Sequence, residues 1–205
     1  WGQLRTVELP APAAGASRPT TAFGYDNLGR QTSETDPEGR TTEFEYDGLG
    51  QLIETRTPAP NYVAGTVSTE YEYDKRGSLT LVKDPLSHET AFGYDNLGRR
   101  TSVTDARLKT TEFTYDLSDN RTILTDPNDN ATHWEYDGLN RVTEETVELD
   151  GADRDRKYFY DPVGNLVGRL DRDSGYVTFE YDDLDRLTTE TGFNSGAFVY
   201  TYAYD

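Results

Sequence analysis

A Tyr-Asp pair recurs along the chain at a nearly constant spacing, and this repeat constrains the fold more than any other feature. Successive pairs are 21, 27, 21, 21, 21, 24, 21 and 23 residues apart. A regular period of this length is typical of a repeat architecture, in which each repeat is one small supersecondary unit. The pairs are Tyr25-Asp26, Tyr46-Asp47, Tyr73-Asp74, Tyr94-Asp95, Tyr115-Asp116, Tyr136-Asp137, Tyr160-Asp161, Tyr181-Asp182 and Tyr204-Asp205.

Each repeat contains two turn signals. The first follows the Tyr-Asp pair, as in the Asp-Asn-Leu-Gly of residues 26–29, and the second lies halfway to the next pair, as in the Asp-Pro-Glu-Gly of residues 36–39. In the second turn Asp36 can accept backbone N–H groups, Pro37 presets φ for a type I turn, and Gly39 supplies the left-handed residue of a bulged hairpin. The pattern predicts strand, turn, strand, turn, with antiparallel neighbours.

The residues before each Tyr-Asp pair alternate strictly. In residues 42–46, Thr42, Phe44 and Tyr46 share one face and two glutamates share the other, which is the period of a β-strand. The same aromatic face recurs at Phe92, Phe113, Trp134 and Phe179. The opposite face, which we expect to be exposed to solvent, carries Glu43, Glu45, Glu70, Glu72, Glu112, Glu135 and Glu180.

These patterns predict an all-β chain of tandem antiparallel β-hairpin repeats, with about 18 strands in one long curled or spiralling sheet, because a sheet this wide rarely stays flat. Only 34% of the residues are hydrophobic, and 15 Tyr, 8 Phe and 2 Trp supply most of the apolar mass. We therefore expect aromatic and Thr ladders between neighbouring strands to replace a conventional core.

The repeats form a single array of about nine over residues 1–205, and the extra residues all fall at the middle turn. We expect longer hairpin loops at 10–19, 57–66, 147–155 and 192–197. Residues 2–9 match the segment that begins at Gly50. We therefore expect the chain to begin inside a repeat and to be part of a longer array.

The formal net charge of −18 excludes several classes of function. It would repel nucleic acid and anionic membrane surfaces. The chain has no Cys, and therefore neither a disulfide nor a thiolate metal site. No apolar run reaches the 18 or so residues of a membrane helix. We expect neither nucleic-acid binding nor membrane insertion.

The Tyr-Asp-x-Leu-Gly-Arg and Asp-Pro-x-Gly motifs resemble the YD repeat of Rhs proteins, insecticidal toxin complex B and C components, and teneurins. The resemblance implies a β-shell, and in bacterial members a shell that encloses a C-terminal toxin domain of a secreted or surface-delivered protein. The expected partners are therefore the rest of the shell and its enclosed toxin domain. Asp119, Asn140 and Asp185 replace the turn Gly, and all tolerate left-handed φ. Besides the Tyr-Asp pairs and the aromatic positions, the signature comprises Gly29, Arg30, Asp36, Pro37, Gly39, Gly50, Gly77, Gly98 and Gly164.

The sequence favours a non-enzymatic role, because the carboxylates occupy turn positions that the repeat dictates. Three alternatives stay open. Clustered oxygens at 150–155 and 171–175 offer a candidate Ca²⁺ site. The aromatic rows are a candidate glycan-binding surface, as in an extracellular interaction module. Open strand edges are a candidate route to self-association.

Overall fold

The fold is described from a computed structural model over residues 3–9, 18–59, 65–149, 152–172, 175–193 and 197–205. These residues form strands and turns and contain no helix, so none of them belongs to a helix that could span a bilayer. The chain divides into two compact units, Trp1–Leu108 (unit 1) and Lys109–Asp205 (unit 2).

Unit 1 is an antiparallel meander in which each strand pairs with its neighbours in sequence. Its described strands are β1 Thr6–Glu8, β2 Thr20–Tyr25, β3 Gln31–Thr35, β4 Thr41–Tyr46, β5 Leu52–Pro58, β6 Thr66–Tyr73, β7 Leu79–Lys83, β8 Glu89–Tyr94 and β9 Arg100–Thr104.

Unit 2 repeats the same antiparallel topology. Its described strands are β10 Thr110–Tyr115, β11 Arg121–Thr125, β12 Ala131–Tyr136, β13 Val142–Leu149, β14 Ala152–Tyr160, β15 Leu166–Leu170, β16 Tyr176–Tyr181, β17 Leu187–Gly192 and β18 Phe198–Thr201. The predicted all-β class and tandem antiparallel hairpins are confirmed.

The two kinds of hairpin differ in register. At each Tyr-Asp turn the ladder shifts immediately before the Tyr: Glu45 lies opposite Glu54, whereas Tyr46 lies opposite Leu52. Ile53 is therefore the extra residue of a β-bulge, which increases the local twist. At the middle turn of the same region the pairing is regular, with Thr35 opposite Thr41.

The expected longer loops overlap residues 10–17, 60–64, 150–151 and 194–196, which lie outside the described part of the chain. Around 147–155 the structure differs from the expectation. The inserted residues lengthen the hairpin, since β13 continues to Leu149, which pairs with Ala152 at the start of β14. Extending the ladder pairs backbone groups that a loop would leave to water.

Each unit is a single layer with almost no core. Among the described residues Val177 is the one apolar side chain that is buried, at 5% exposure. The glutamates of β4 and β6 are exposed, as expected, and several pair with cations on neighbouring strands. Examples are Glu45 with Arg56 at 2.8 Å and Glu70 with Lys83 at 3.8 Å.

The Thr part of the expected ladders is confirmed, since the Thr35 and Thr41 hydroxyls lie 2.9 Å apart on paired strands, whereas the expected stacking of rings between strands is wrong. The described residues contain only two ring pairs, Phe159–Tyr176 and Phe198–Tyr200. The reason is spacing: rings recur on every second strand, which places them about 9.6 Å apart. The intervening strand presents small or aliphatic residues, so that Phe44 lies opposite Thr55. Arginine covers the rings instead, as Arg121 covers Trp134 with its guanidinium carbon 4.6 Å from the ring centre.

Candidate functional site: the Tyr-Asp turn edge

The signature residues of the Tyr-Asp turns lie along one edge of each unit, where these turns are side by side, whereas Asp36, Pro37 and Gly39 form a middle turn at the opposite edge. In the first Tyr-Asp turn Asp26 Oδ1 accepts the N–H groups of Leu28 and Arg30, both at 2.9 Å. The N–H of Gly29 donates to the Asp26 carbonyl at 3.1 Å. The Arg30 Nε donates to Asp26 Oδ2 at 2.7 Å. The carboxylate and the carbonyl of Asp26 together therefore accept the N–H groups of Leu28, Gly29 and Arg30.

The same cap recurs at the other Tyr-Asp turns and also at the middle turns. Asp36 Oδ1 accepts the N–H groups of Glu38 and Arg40. The carboxylates of Asp47, Asp74, Asp84, Asp95, Asp116, Asp126, Asp137, Asp161 and Asp182 each accept two backbone N–H groups of their own turn. Capping by Asp therefore builds both edges of the sheet.

A left-handed residue closes each Asp-x-x-x turn that the structure describes in full. Gly29 and Gly39 have φ of 85° and 80°, and the predicted substitutes Asp119, Asn140 and Asp185 have φ of 67°, 62° and 59°. That prediction is confirmed. The sequence did not single out the left-handed residues Ser87, Leu108 and Asp129 of the middle turns, which have φ of 63°, 60° and 64°.

The Tyr of each signature ties neighbouring turns together. The Tyr46 hydroxyl donates to the Gln31 carbonyl at 2.8 Å, and the Tyr160 hydroxyl donates to the Val142 carbonyl at 2.9 Å. Each acceptor stands close behind the preceding Tyr-Asp turn, so each phenol bridges two turns. Equivalent bonds are made by Tyr25, Tyr73, Tyr94, Tyr136, Tyr181 and Tyr204.

At several Tyr-Asp turns the residue that follows the turn makes a second link to the next turn. Arg30 lies over the Tyr46 ring at 4.8 Å, and its Nη1 donates to the Asp47 carbonyl at 3.2 Å. Where Asn replaces Arg, the link persists with different atoms: Asn165 Nδ2 donates to Asp185 Oδ1 at 2.8 Å.

Ser78 is too short to reach the next turn, and Arg76 makes the link from another position of the same turn. Its Nη1 donates to the Asn96 carbonyl at 2.7 Å. The sequence contains a sign that Arg76 replaces Ser78 in this link, because Arg76 stands where the neighbouring turns carry Leu49 and Leu97. Linked turns explain why length changes avoid this edge: an insertion would break contacts to both neighbouring turns.

The candidate metal-binding residues outside this edge do not come together in one site within the described part of the chain. Among the described residues no group of three or more His, Cys, Asp or Glu could hold a metal ion. Asp171 of the candidate calcium cluster is paired with Arg156 and Arg169, at 2.8 and 3.0 Å. His88 contacts Asp84, and His133 contacts Glu148. Residues 150–151 and 173–174 lie outside the described part of the chain, so the Ca²⁺ hypothesis stays a prediction.

Hydrogen bonding lowers the pKa of several turn carboxyls, including those of Asp26, Asp126 and Asp137. The backbone N–H of Arg30 is the main cause at Asp26, and the Arg141 side chain is the main cause at Asp137. The side-chain amide of Asn130 lowers the pKa of Asp126 most strongly. Burial acts in the opposite direction on the phenols and raises the pKa of Tyr73, Tyr136, Tyr160 and Tyr181.

Stability should therefore fall at both ends of the pH scale. A carboxyl with a lowered pKa stabilises the fold above its ordinary value of 3.8, and this contribution is lost as the pH falls through the folded pKa. A phenol with a raised pKa stabilises the fold below 10.0, and this contribution is lost as the pH rises through the folded pKa. Urea midpoints should be flat between about pH 5 and about pH 9 and decline outside that range. An equal midpoint at pH 2.5 and pH 7 would contradict the role of the Asp caps.

The fold is shared with toxin complexes of known structure. The crystal structure of TcdB2-TccC3-Cdc42 aligns with 98% of this chain at a TM-score of 0.64 and 18% identity, over 14% of that chain. TcdB2-TccC3 aligns with 98% at a TM-score of 0.60 and 18% identity, over 15% of that chain. A Photorhabdus luminescens Tc holotoxin pore aligns with 91% at a TM-score of 0.54 and 18% identity, over 12% of that chain. This chain therefore spans about one-seventh of their length, and at such identity the likeness concerns the fold alone.

A search of curated proteins found no match by sequence. The RHS Repeat family matches residues 1–41, 25–61, 73–108, 115–152 and 160–197, which together cover most of the chain. These matched segments contain the capped turns and, except for Tyr204, the bridging tyrosines described above. The chain belongs to the RHS Repeat family.

Proposed function

We propose that this chain is a non-enzymatic segment of a shell wall that encloses a C-terminal toxin domain in a larger, bacterial, secreted or surface-delivered protein. The observation that carries the proposal is the chain of turn-to-turn links along the Tyr-Asp edge. Backbone ladders, Tyr hydroxyls and Arg side chains hold each described sheet together although it has almost no apolar core. Such a layer can be extended repeat by repeat.

The surface chemistry also supports containment. One face carries exposed glutamates, and on the other Arg side chains cover several rings. A wall with charged groups on both faces offers little contiguous apolar surface for a folded cargo to bind. The solved relatives in fold are toxin complexes, and this chain matches a small part of their length.

The test uses the full-length protein that contains this segment. Limited trypsin digestion followed by mass spectrometry should leave the C-terminal domain uncut while the wall is intact. The Tyr160→Ala variant, which loses one bridge between turns, should expose that domain to faster cleavage. Tyr200→Ala is the matched control, because Tyr200 is exposed on the last strand. Equal cleavage of the C-terminal domain in all three proteins, or its absence from the full-length chain, would overturn the proposal.

Carbohydrate binding by an extracellular module is the alternative function. Phe159 and Tyr176 favour it, since both rings are partly exposed and lie edge to face, 6.2 Å apart. The Trp134 ring favours it less, because the Arg121 guanidinium occupies the position where a sugar would stack. Glycan-array binding by the wild type that disappears in Trp134→Ala or Tyr176→Ala would support this alternative over containment.

A further inference from the structure

The Tyr-Asp edge carries a row of exposed apolar side chains that no contact described above explains. Six of its eight complete turns have Leu or Val at the third turn position, and these side chains are 70–83% exposed. We call them the apolar turn row. They are Leu28, Leu49 and Leu97 in unit 1, and Leu139, Val163 and Leu184 in unit 2.

The turn itself does not require an apolar residue at this position. The middle turns have the same Asp cap, yet their third residues include Glu38, Arg107 and Asn128, with Leu86 as the apolar exception. Turns generally favour small polar residues and glycine, which hydrogen-bond locally or tolerate unusual φ. The middle turns therefore show that a hairpin of this type forms without an apolar residue at the third position.

The spacing of the row restricts what can cover it. Successive Tyr-Asp turns are two strands apart, or about 9.6 Å. A partner that buries several of these side chains at once must present apolar groups with the same spacing. Another Tyr-Asp edge meets this condition, because its apolar side chains have the same spacing and the two rows can interdigitate along their length.

The charges on this edge differ between the units. In unit 1 the third Tyr-Asp turn exposes Lys75 and Arg76, whereas in unit 2 the last turn exposes Asp183 and Asp185 beside Leu184. Opposite charges of this kind select partner and register. We propose that the Tyr-Asp edge of unit 1 is a docking surface for the Tyr-Asp edge of unit 2 of a second copy of this chain.

The area of this edge sets the strength of the contact. Four turns spaced by about 10 Å make a strip of roughly 30–40 Å by 10–12 Å, or about 400 Å² on each partner. A standard stable interface buries about 800 Å² on each partner. The association is therefore weak and concentration-dependent in isolated chains, and it becomes strong only where many turns meet together. The contact involves the rim of the sheet and is independent of any enclosed domain.

Sedimentation velocity of the chain at a fixed ionic strength tests the apolar part of the contact. The double variant Leu49→Asn with Leu97→Asn should lower the association constant at least about tenfold, because it removes two buried leucines from the contact. The matched control is Leu86→Asn with Leu108→Asn, which changes two exposed leucines of the middle turns in the same unit. The control should change the association constant less than about twofold. Urea unfolding of all three proteins verifies that folding is equal.

A charge exchange tests the pairing of unit 1 with unit 2. Lys75→Glu alone and Asp183→Lys alone should each weaken association about threefold or more, and the double variant should recover it to within about twofold of the wild type. Three outcomes would overturn the proposal: a wild type that stays monomeric up to about 1 mM, equal association in the turn-row and middle-turn variants, or no recovery on charge exchange. Pairing through open strand edges would produce the second of these outcomes.

Discussion

Replacing Tyr160 by alanine is expected to lower the free energy of unfolding of unit 2 by about 3 kcal/mol. The substitution removes three contributions. The ring loses its partly buried area, the Arg141 guanidinium loses the ring that it covers at 4.4 Å, and the Val142 carbonyl loses the hydroxyl that donates to it at 2.9 Å. Urea denaturation followed by far-UV circular dichroism measures the change.

Two further variants separate these contributions. Tyr160→Phe keeps the ring under Arg141 and loses only the hydroxyl, so it should cost about 1 kcal/mol. Tyr200→Ala removes a more exposed Tyr from the last strand and should cost less than about 1 kcal/mol. If Tyr160→Phe proved as costly as Tyr160→Ala, the ring and its Arg141 contact would contribute nothing, and the bridge would consist of the hydroxyl alone.

Gly50→Val is expected to destabilise unit 1 by about 2 kcal/mol, because Gly50 has φ of 86° and a β-branched residue adopts that conformation only under strain. Space is not the cause: a side chain there would meet only the Arg30 Nη1, at an ordinary 3.7 Å. The shift of the urea unfolding midpoint relative to the wild type measures this loss of stability.

Gly48→Val is the matched control, since Gly48 belongs to the same turn, has nothing within 4 Å of an added Cβ and lies outside the left-handed region. Its effect should stay within about 0.5 kcal/mol. Equal destabilisation by the two substitutions would show that the turn resists bulk in general. The left-handed backbone would then not be the reason why position 50 requires glycine.

Local chemistry made the hairpins predictable. The Asp at the start of a turn and the Gly three residues later act within five residues of chain, so the caps at Asp26 and Asp36 follow from the sequence. The same reasoning extended to Asp119, Asn140 and Asp185, which adopt the left-handed conformation without glycine. Strand alternation likewise predicted that Glu43 and Glu45 are exposed.

Contacts between turns were not predictable in the same way. The acceptor of the Tyr46 hydroxyl is a carbonyl on the neighbouring strand, and its position depends on the register across the middle turn. The use of Arg76 in place of the short Ser78 depends on how near the next turn lies. The ring ladder was mispredicted although the sequence contains the reason: the strands that follow the Tyr-Asp turns carry no rings, so Phe44 lies opposite Thr55 and not opposite another ring.

The order of residues along the chain determined the antiparallel hairpins, the capped turns and the edge at which insertions occur, since each depends on interactions among close neighbours in sequence. The tertiary structure alone decided how one turn holds the next, because residues 15 to 21 positions apart meet only after the strands have paired with a bulge at each Tyr-Asp turn. It also showed that arginines cover the rings and that an apolar row remains exposed along one edge.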